Sequence, residues 1–349
     1  MTTISVDAAT GGQGAVLLLD RTRSVVDPQL RNTVESLPDS IRRVAMYHFG
    51  WEHADGSPAE GAGGKAIRPA LVLAATRAFG ADPEPAVKAA AAVELAHNFT
   101  LLHDDIVDED PTRRHRATAW KVFGIPDALM AGDAMSALAL RLLAEDPHPA
   151  STAAAARLAA CVIELCAGQQ ADCAFERRGP REVGLDEVVA MATAKTGALL
   201  GCACAVGALY AGVGEEEVAA MDAFGREAGL AFQLIDDLIG IWGDPGRTGK
   251  PAGADLVARK KSLPVVAALV SGTPAGEELA ELYARPVLDA EAVRAAADAV
   301  ERAGARDWAQ AQAAERMSRA VEQLSRAVPD LSAAGDLLAL AEFVTRRTR

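Results

Sequence analysis

Aromatic side chains make up only 4% of this 349-residue chain, and runs that alternate β-branched with polar residues are scarce, so little of it reads as half-buried strand. Alanine at helical spacing takes their place, and the hydrophobic share of 50% is ample for a sizeable core. The expected fold class is all-α, a large helical bundle. Basic residues are also in deficit: 35 Lys and Arg stand against 48 Asp and Glu, for a formal charge of -13. That excludes a nucleic-acid surface, since gripping a polyanion takes clustered cations. The five cysteines (Cys161, Cys166, Cys173, Cys202, Cys204) form no CxxC pair and no repeated ligand spacing, which excludes a disulfide framework and fits a reduced cytoplasm. No basic start precedes an apolar core, so no signal peptide is expected. One uncharged stretch, Thr196–Val213, has nearly the length of a membrane span, but Ala, Gly and Cys dominate it, and it reads as a buried bundle helix.

The chemistry that is present is concentrated. Leu101-Leu102-His103-Asp104-Asp105-Ile106-Val107-Asp108-Glu109-Asp110 puts five acids into seven positions directly after an apolar helical run. Asp104 and Asp108 are four apart, so on a helix both carboxylates leave the same face and can share hard cations. Much further on, Phe232-Gln233-Leu234-Ile235-Asp236-Asp237-Leu238-Ile239-Gly240-Ile241-Trp242 sets a second pair inside another apolar run. Two such acid-bearing walls would hold several Mg²⁺ ions, equipment for a phosphate-bearing substrate.

Cations accompany the acids. Lys65 and Arg68 sit at a helix entrance after a glycine-rich loop, where they are either a solvated start or an anion clamp. Arg113-Arg114-His115-Arg116 follows the first acids directly, and a metal-bound anion gripped by arginine forks accounts for that juxtaposition better than surface decoration. Lys195 stands alone amid uncharged neighbours, so it either snorkels or meets a bound anion; Lys250 and Lys261 arrive after the second acid pair. His97, Gly132-Asp133, Gly168-Gln169-Gln170 and Asp172 either line a cavity or are satisfied internally. Helix is expected from about Ala15 to Tyr47, broken near Pro28 and Pro38, then over Ala70–Phe79, Ala86–Val107, Ala128–Leu143, Ala153–Phe175, Leu185–Gly212 and Met221–Trp242. Met1 to about Gly14 is expected to be disordered, and the basic tail Arg346–Arg349 either frays or closes over an anionic site. No boundary divides the chain, so residues 1–349 are expected to form a single domain.

Taken in order, Gly63-Gly64-Lys65-x-x-Arg68-Pro69, Asp104-Asp105-x-x-Asp108 with Arg113-Arg114, Gly132-Asp133, Gly168-Gln169, Lys195-Thr196, Phe232-Gln233-x-x-Asp236-Asp237, Gly249-Lys250 and Lys261-Ser262-Leu263-Pro264 resemble the trans-polyprenyl diphosphate synthases, the isoprenoid chain-elongating family. The likeness covers almost everything from about Gly63 onward and is strongest to the geranylgeranyl diphosphate type. It implies a bundle around a deep central cavity and a homodimer, while cysteine usage and composition lead to the expectation of a cytoplasmic enzyme without a membrane span. It implies Mg²⁺, three ions, bound by Asp104, Asp108 and Asp236 with Asp105 and Asp237 in support. Arg113, Lys195, Lys250 and Lys261 would hold an allylic diphosphate, with Thr196 and Gln233 nearby. Isopentenyl diphosphate would lie on Lys65, Arg68, His97 and Arg114. Chemistry would fall to Asp104, Asp105, Asp108, Arg113, Lys195, Asp236 and Lys250. Ala96, Phe99 and Thr100, beneath the first acids, would set product length, and one aromatic followed by a small residue resembles twenty-carbon producers.

Two positions depart from the family pattern. Gly240 stands where the second motif usually has its last carboxylate; Asp244 lies one turn further on, ~6 Å beyond the expected place on an ideal helix. His115 stands where glycine commonly follows the arginine pair. Three alternatives accompany the reading: a terpene cyclase on the same scaffold, a farnesyl diphosphate synthase and a non-catalytic partner subunit.

Overall fold

The computed structural model describes residues 8–59, 64–244 and 253–345, with side chains from residue 13. Helix α1 (Ala8–Glu35) begins inside the stretch expected to be disordered and runs straight through Pro28. Proline removes one helical hydrogen bond, but Val26, Leu30 and Val34 recur every four residues and are all buried, so burial of that stripe overrides the local cost. Pro38 does break the chain, as expected, and starts α2 (Asp39–Phe49), which Gly50 ends at φ 82°.

Next come α3 (Ile67–Ala78) and α4 (Val87–Val107). A two-residue hairpin follows, β1 (Thr112–Arg113) pairing antiparallel with β2 (Arg116–Ala117), and then α5 (Ala119–Phe123) and α6 (Ile125–Ala144). The chain continues through α7 (Ser151–Glu176), α8 (Leu185–Ala192), a π-helical turn at Thr193–Gly197, α9 (Ala198–Tyr210) and α10 (Glu215–Trp242). Short helices α11 (Ala254–Val257), α12 (Leu263–Leu269) and α13 (Pro274–Tyr283) lead to α14 (Ala290–Arg302), α15 (Ala305–Ala327) and α16 (Gly335–Thr345). The all-α expectation holds, with the hairpin as the only named sheet among the described residues.

Two compact units can be distinguished. The first comprises the chain up to Val162 together with Cys202–Asp222 and Leu324–Leu340. Its centre is α4, which packs on α6, α3 and α1 and buries Ala89 to Val93, Leu95, Ala96, Phe99 and Leu102. In the same unit α3 meets α9 at close range: a Cβ on Gly207 would lie 2.6 Å from that of Ala75, and Thr76 donates its hydroxyl to the Gly207 carbonyl at 3.0 Å. The second unit comprises Ile163–Gly201, Ala223–Gln323 and the chain from Ala341. One of its apolar clusters gathers Leu256, Val265, Leu279, Ala296 and Val300; the other gathers Val183, Val188, Leu234, Leu263 and Val266. The stretch Leu185–Tyr210 and α7 are each long and apolar enough to cross a membrane, and 67% of the apolar window of the first is buried inside the protein.

Candidate active site

In the first unit the site begins at the end of α4. Asp104 is half-buried and Asp108, the residue that closes the helix, is exposed, so these two carboxylates reach solvent from one face. Asp105, between them, is 1% exposed. Arg113 of the hairpin donates from Nε to its Oδ1 at 2.7 Å and brings Nη2 within 2.7 Å of the same oxygen as an ion pair, while Oδ2 has no hydrogen-bond partner. Burial raises the Asp105 pKa and Arg113 opposes that rise. The Asp110 carbonyl, accepting from Thr118 Oγ1 at 2.8 Å and Trp120 Nε1 at 2.9 Å, fixes the loop between helix and hairpin.

The four-residue basic run divides by function. Arg116 is structural: it donates to the carbonyls of Tyr47 (3.2 Å) and Glu52 (2.9 Å) and lies over the Tyr47 ring, whose hydroxyl reaches the Ala117 carbonyl at 2.8 Å. Arg114 and His115 form the hairpin turn at φ 52° and 62°. Both central residues of such a turn are left-handed, which is why glycine suits position 115 and why His115 is a strained choice there. Arg114 is exposed, and a Cβ on Gly64 would come within 2.8 Å of its Nη2, so the Lys65 loop passes close to the guanidinium.

Behind Arg114 lies a basic cluster that sequence reading saw only in part. Arg68, on α3, has a buried Nε without a partner and faces Glu94 of α4, which is 6% exposed. Glu94 Oε1 accepts from Asn98 Nδ2 at 3.0 Å. Burial, followed by the neighbouring arginines Arg68, Arg114 and Arg113, holds His97 well below the usual histidine pKa. His48, from α2, joins them: burial first and then Arg114 and Arg113 push its pKa down to about 3, and its Nε2 has no partner. Glu94 was discoverable, being the one acid in the alanine-rich part of α4; His48 carried no signal, because its neighbours come from α4 and the hairpin.

Beneath the acids, Ala96, Phe99 and Thr100 are all buried. Phe99 meets His103 edge-on, with ring centroids 5.7 Å apart, and Thr100 donates to the His97 carbonyl at 2.7 Å. Gly132 is explained by the same ring: a Cβ there would press on His103, 3.3 Å from Cε1. Its neighbour Asp133 faces His103 Nε2 at 3.7 Å.

In the second unit Asp236 is exposed and Asp237 is 7% exposed. Asp237 accepts from Gln233 Nε2 at 2.7 Å and from the Leu263 amide at 2.9 Å, while Gln233 Oε1 accepts from Thr196 at 2.7 Å. Burial raises the Asp237 pKa to about 8, with Asp255 and Asp236 adding to the rise. Lys195 donates to Asp172 Oδ2 at 2.6 Å from the π-helical turn, onto which Gly168 packs so closely that a Cβ would lie 2.9 Å from that of Ala194. The buried ammonium of Lys261 donates to the carbonyls of Phe175 and Arg178 at 2.5 and 2.7 Å, capping the end of α7. Lys65 is exposed. Gly63, Gly249, Lys250 and Arg346–Arg349 lie outside the described residues. Asp244 lies beyond the end of α10 at Trp242, so it is not the next turn of that helix.

Both acid pairs thus share one construction: an outward carboxylate beside a buried one held in place by a neighbour. Among the described residues no three acid, histidine or cysteine side chains form a ready metal cluster. The donors are nonetheless oxygen-only and, in Asp104 and Asp108, correctly spaced, which fits Mg²⁺, an ion that takes one or two carboxylates, keeps waters and completes its shell with substrate phosphates.

A polyprenyl synthetase family model matches residues 59–300. A geranylgeranyl diphosphate synthase of Mycobacterium tuberculosis is 47% identical over 332 residues, 95% of this chain and 93% of that protein. A (2E,6E)-farnesyl diphosphate synthase of Mycobacterium bovis is 43% identical over 335 residues, 95% of this chain and 92% of that one. The crystal structure of a polyprenyl synthetase from Streptomyces coelicolor superposes with a TM-score of 0.89 at 43% identity, covering 94% of this chain and 98% of its own.

Proposed function

The chain belongs to the polyprenyl synthetase family and is a chain-elongating prenyltransferase, and from that premise we propose that it condenses isopentenyl diphosphate with an allylic diphosphate and stops at geranylgeranyl diphosphate. The observation that carries the proposal is the repeated construction of the acid pairs, with solvent-facing Asp104, Asp108 and Asp236 backed by the buried, tethered Asp105 and Asp237.

In this reading Asp104, Asp108 and Asp236 take Mg²⁺, three ions in all. When bound, the metal supplies positive charge to the departing diphosphate. Asp105 fixes Arg113 at the diphosphate; Lys195, Thr196, Gln233 and Lys250 complete its grip. Lys261 contributes by holding the end of α7. Arg68, Arg114, Lys65 and His97 take isopentenyl diphosphate, which accounts for the cations gathered around Glu94. Cleavage of the allylic C–O bond leaves the electron pair on the diphosphate and a cation on carbon. The double bond of isopentenyl diphosphate attacks that cation, and the proton then lost passes to the released diphosphate. Water must be excluded, since it would quench the cation to an alcohol.

The single polyprenyl synthetase domain is taken to run over 1–349, and the enzyme to work in the cytoplasm as a homodimer without a membrane span. In support of the dimer, α6 leaves Ile125, Leu129 and Met130 exposed on adjoining positions, an apolar strip that a second copy would cover. A fifteen-carbon product is the second reading, favoured by the farnesyl synthase relative. One experiment tests the reaction and its product length. Purified protein with Mg²⁺, isopentenyl diphosphate and each allylic diphosphate in turn should yield elongated diphosphates ending at twenty carbons by mass. A fifteen-carbon end point selects the second reading, a hydrocarbon from the allylic substrate alone a cyclase, and silence a partner subunit.

A further inference from the structure

Asn98, on α4, is 0% exposed, and its Nδ2 donates both to the carbonyl of Glu94, at 2.9 Å, and to Glu94 Oε1, at 3.0 Å. Those two bonds fix which way the carboxamide points. Turned over, it would set its oxygen against two oxygens of Glu94, acceptor against acceptor. Oδ1 therefore points away from Glu94, where it is buried without a partner. The ring of His48 comes from α2 to face it: Asn98 bears on the ring as a hydrogen-bonding neighbour, and His48 Nε2 is likewise buried without a partner. Two such atoms satisfy each other only if one of them carries a proton. A carboxamide oxygen does not, so Nε2 must. Burial first, and then Arg114 and Arg113, push the pKa of the ring down to about 3, so it is neutral and has one N–H to give. Glu94 is the group this contact reaches. Among charged neighbours it acts most strongly on both Arg68 and Arg114, and against the burial that disfavours its own charge stand Arg68, the Asn98 hydrogen bond and Arg114.

We propose that His48 and Asn98 are positioning residues for isopentenyl diphosphate: His48 donates from Nε2 to Asn98 Oδ1, Asn98 thereby keeps Nδ2 on Glu94, and Glu94 holds Arg68 and Arg114 where the diphosphate binds. This rests on the assignment of Arg68 and Arg114 to that substrate above. Neither His48 nor Asn98 touches the substrate. Their effect falls on the binding of isopentenyl diphosphate and not on ionisation of the allylic partner, whose grip is assigned to other residues.

Steady-state kinetics of the full-length enzyme with Mg²⁺, each substrate varied in turn, separate the two effects. His48→Phe keeps an aromatic ring but has no N–H. It should raise KM for isopentenyl diphosphate about tenfold, equivalent to about 1.4 kcal/mol, while kcat and the KM of the allylic diphosphate stay within about twofold of wild type. His48→Gln, which carries a donor at its own Nε2, should bring that KM back to within about threefold of wild type. Asn98→Ala should raise the same KM, and the double variant His48→Phe/Asn98→Ala should be no worse than Asn98→Ala alone, because both break one chain of contacts. An unchanged KM in a folded His48→Phe, equal rises in His48→Phe and His48→Gln, or multiplied losses in the double variant overturn the proposal. If His48→Phe does not fold, the wild-type ring decides. NMR of labelled histidine nitrogens, with the His48 signals identified by their loss in His48→Gln, should find the proton on Nε2, and a proton on Nδ1 overturns the proposal. Arg114→Gln tests the assignment beneath it: an unchanged KM for isopentenyl diphosphate in that variant removes the assignment, and the proposal with it.

Discussion

At the scale of single residues, His48 is the sharpest addition to the sequence picture. Its ring is neutral in the folded protein because burial and then Arg114 and Arg113 push its pKa from 6.5 to about 3. In the unfolded chain it protonates normally, so between pH 6.5 and about 3 the unfolded state binds more protons and stability falls with falling pH. One unit below the unfolded pKa that amounts to about 1.4 kcal/mol. His97 shifts in the same direction. Denaturant melts of the substrate-free protein at pH 7.5 and 5.5 should therefore show a loss that His48→Gln reduces; an identical pH dependence in the variant refutes the assignment. Thr100 supports a second prediction. It is small, buried and one turn below Asp104, so Thr100→Phe should shorten the longest product by mass, from the proposed twenty carbons to fifteen. An unchanged product spectrum defeats the idea that this position is a ruler. Asp104, Asp105, Asp108 and the cations beside them were legible because charge in an apolar helical run is conspicuous. His48 was not, since only the fold brings it to Arg113 and Arg114.

At the scale of elements, close approach in the second unit is made through glycine. A Cβ on Gly229 of α10 would lie 2.8 Å from the Gly197 Cα, and one on Gly225 would lie 2.6 Å from the Gly201 Cα. The π-helical turn that ends at the first of these contacts carries Lys195 and Thr196, and Thr196 is bonded to Gln233 one turn along α10 from Gly229. Gly229→Ala must therefore separate two backbones that hold the Thr196–Gln233–Asp237 chain of hydrogen bonds. We expect a loss of about 2–3 kcal/mol in denaturant unfolding, the scale of an overpacked core, together with a rise in KM for the allylic diphosphate. Stability within 0.5 kcal/mol of wild type, the range of a neutral surface change, counts against the contact. The helices themselves were largely readable from periodicity, and most boundaries fell within a few residues. What escaped was tertiary in origin: α1 crosses Pro28 because its buried stripe outweighs one hydrogen bond, and the extra residue of the π-helical turn leaves the apolar pattern of Leu185–Tyr210 almost intact.

At the scale of the whole molecule, the balance between charge and exposed apolar surface bears on assembly. A net charge of -13 keeps like chains apart at long range, so a stable dimer needs an apolar seam that outweighs this repulsion. On α6, Ile125, Leu129 and Met130 are 50%, 38% and 49% exposed; Ile125 and Leu129 share a face one turn apart, and Met130 follows about 100° round the helix. Fully burying such a side chain contributes about 1.5–3 kcal/mol, so covering the exposed half contributes roughly 1 kcal/mol, and a C₂ interface doubles every contact because each patch meets its own copy. Placing an acid in that seam both removes apolar area and sets two like charges near each other across the axis. In the proposed homodimer, Met130→Glu should therefore give monomer at micromolar concentration in light scattering coupled to size exclusion, where the unsubstituted chain gives dimer, with helical content unchanged by circular dichroism. High salt should partly restore the dimer, because screening acts on the repulsion but not on the lost apolar area. A Met130→Glu chain that remains dimeric at low salt would place the interface elsewhere.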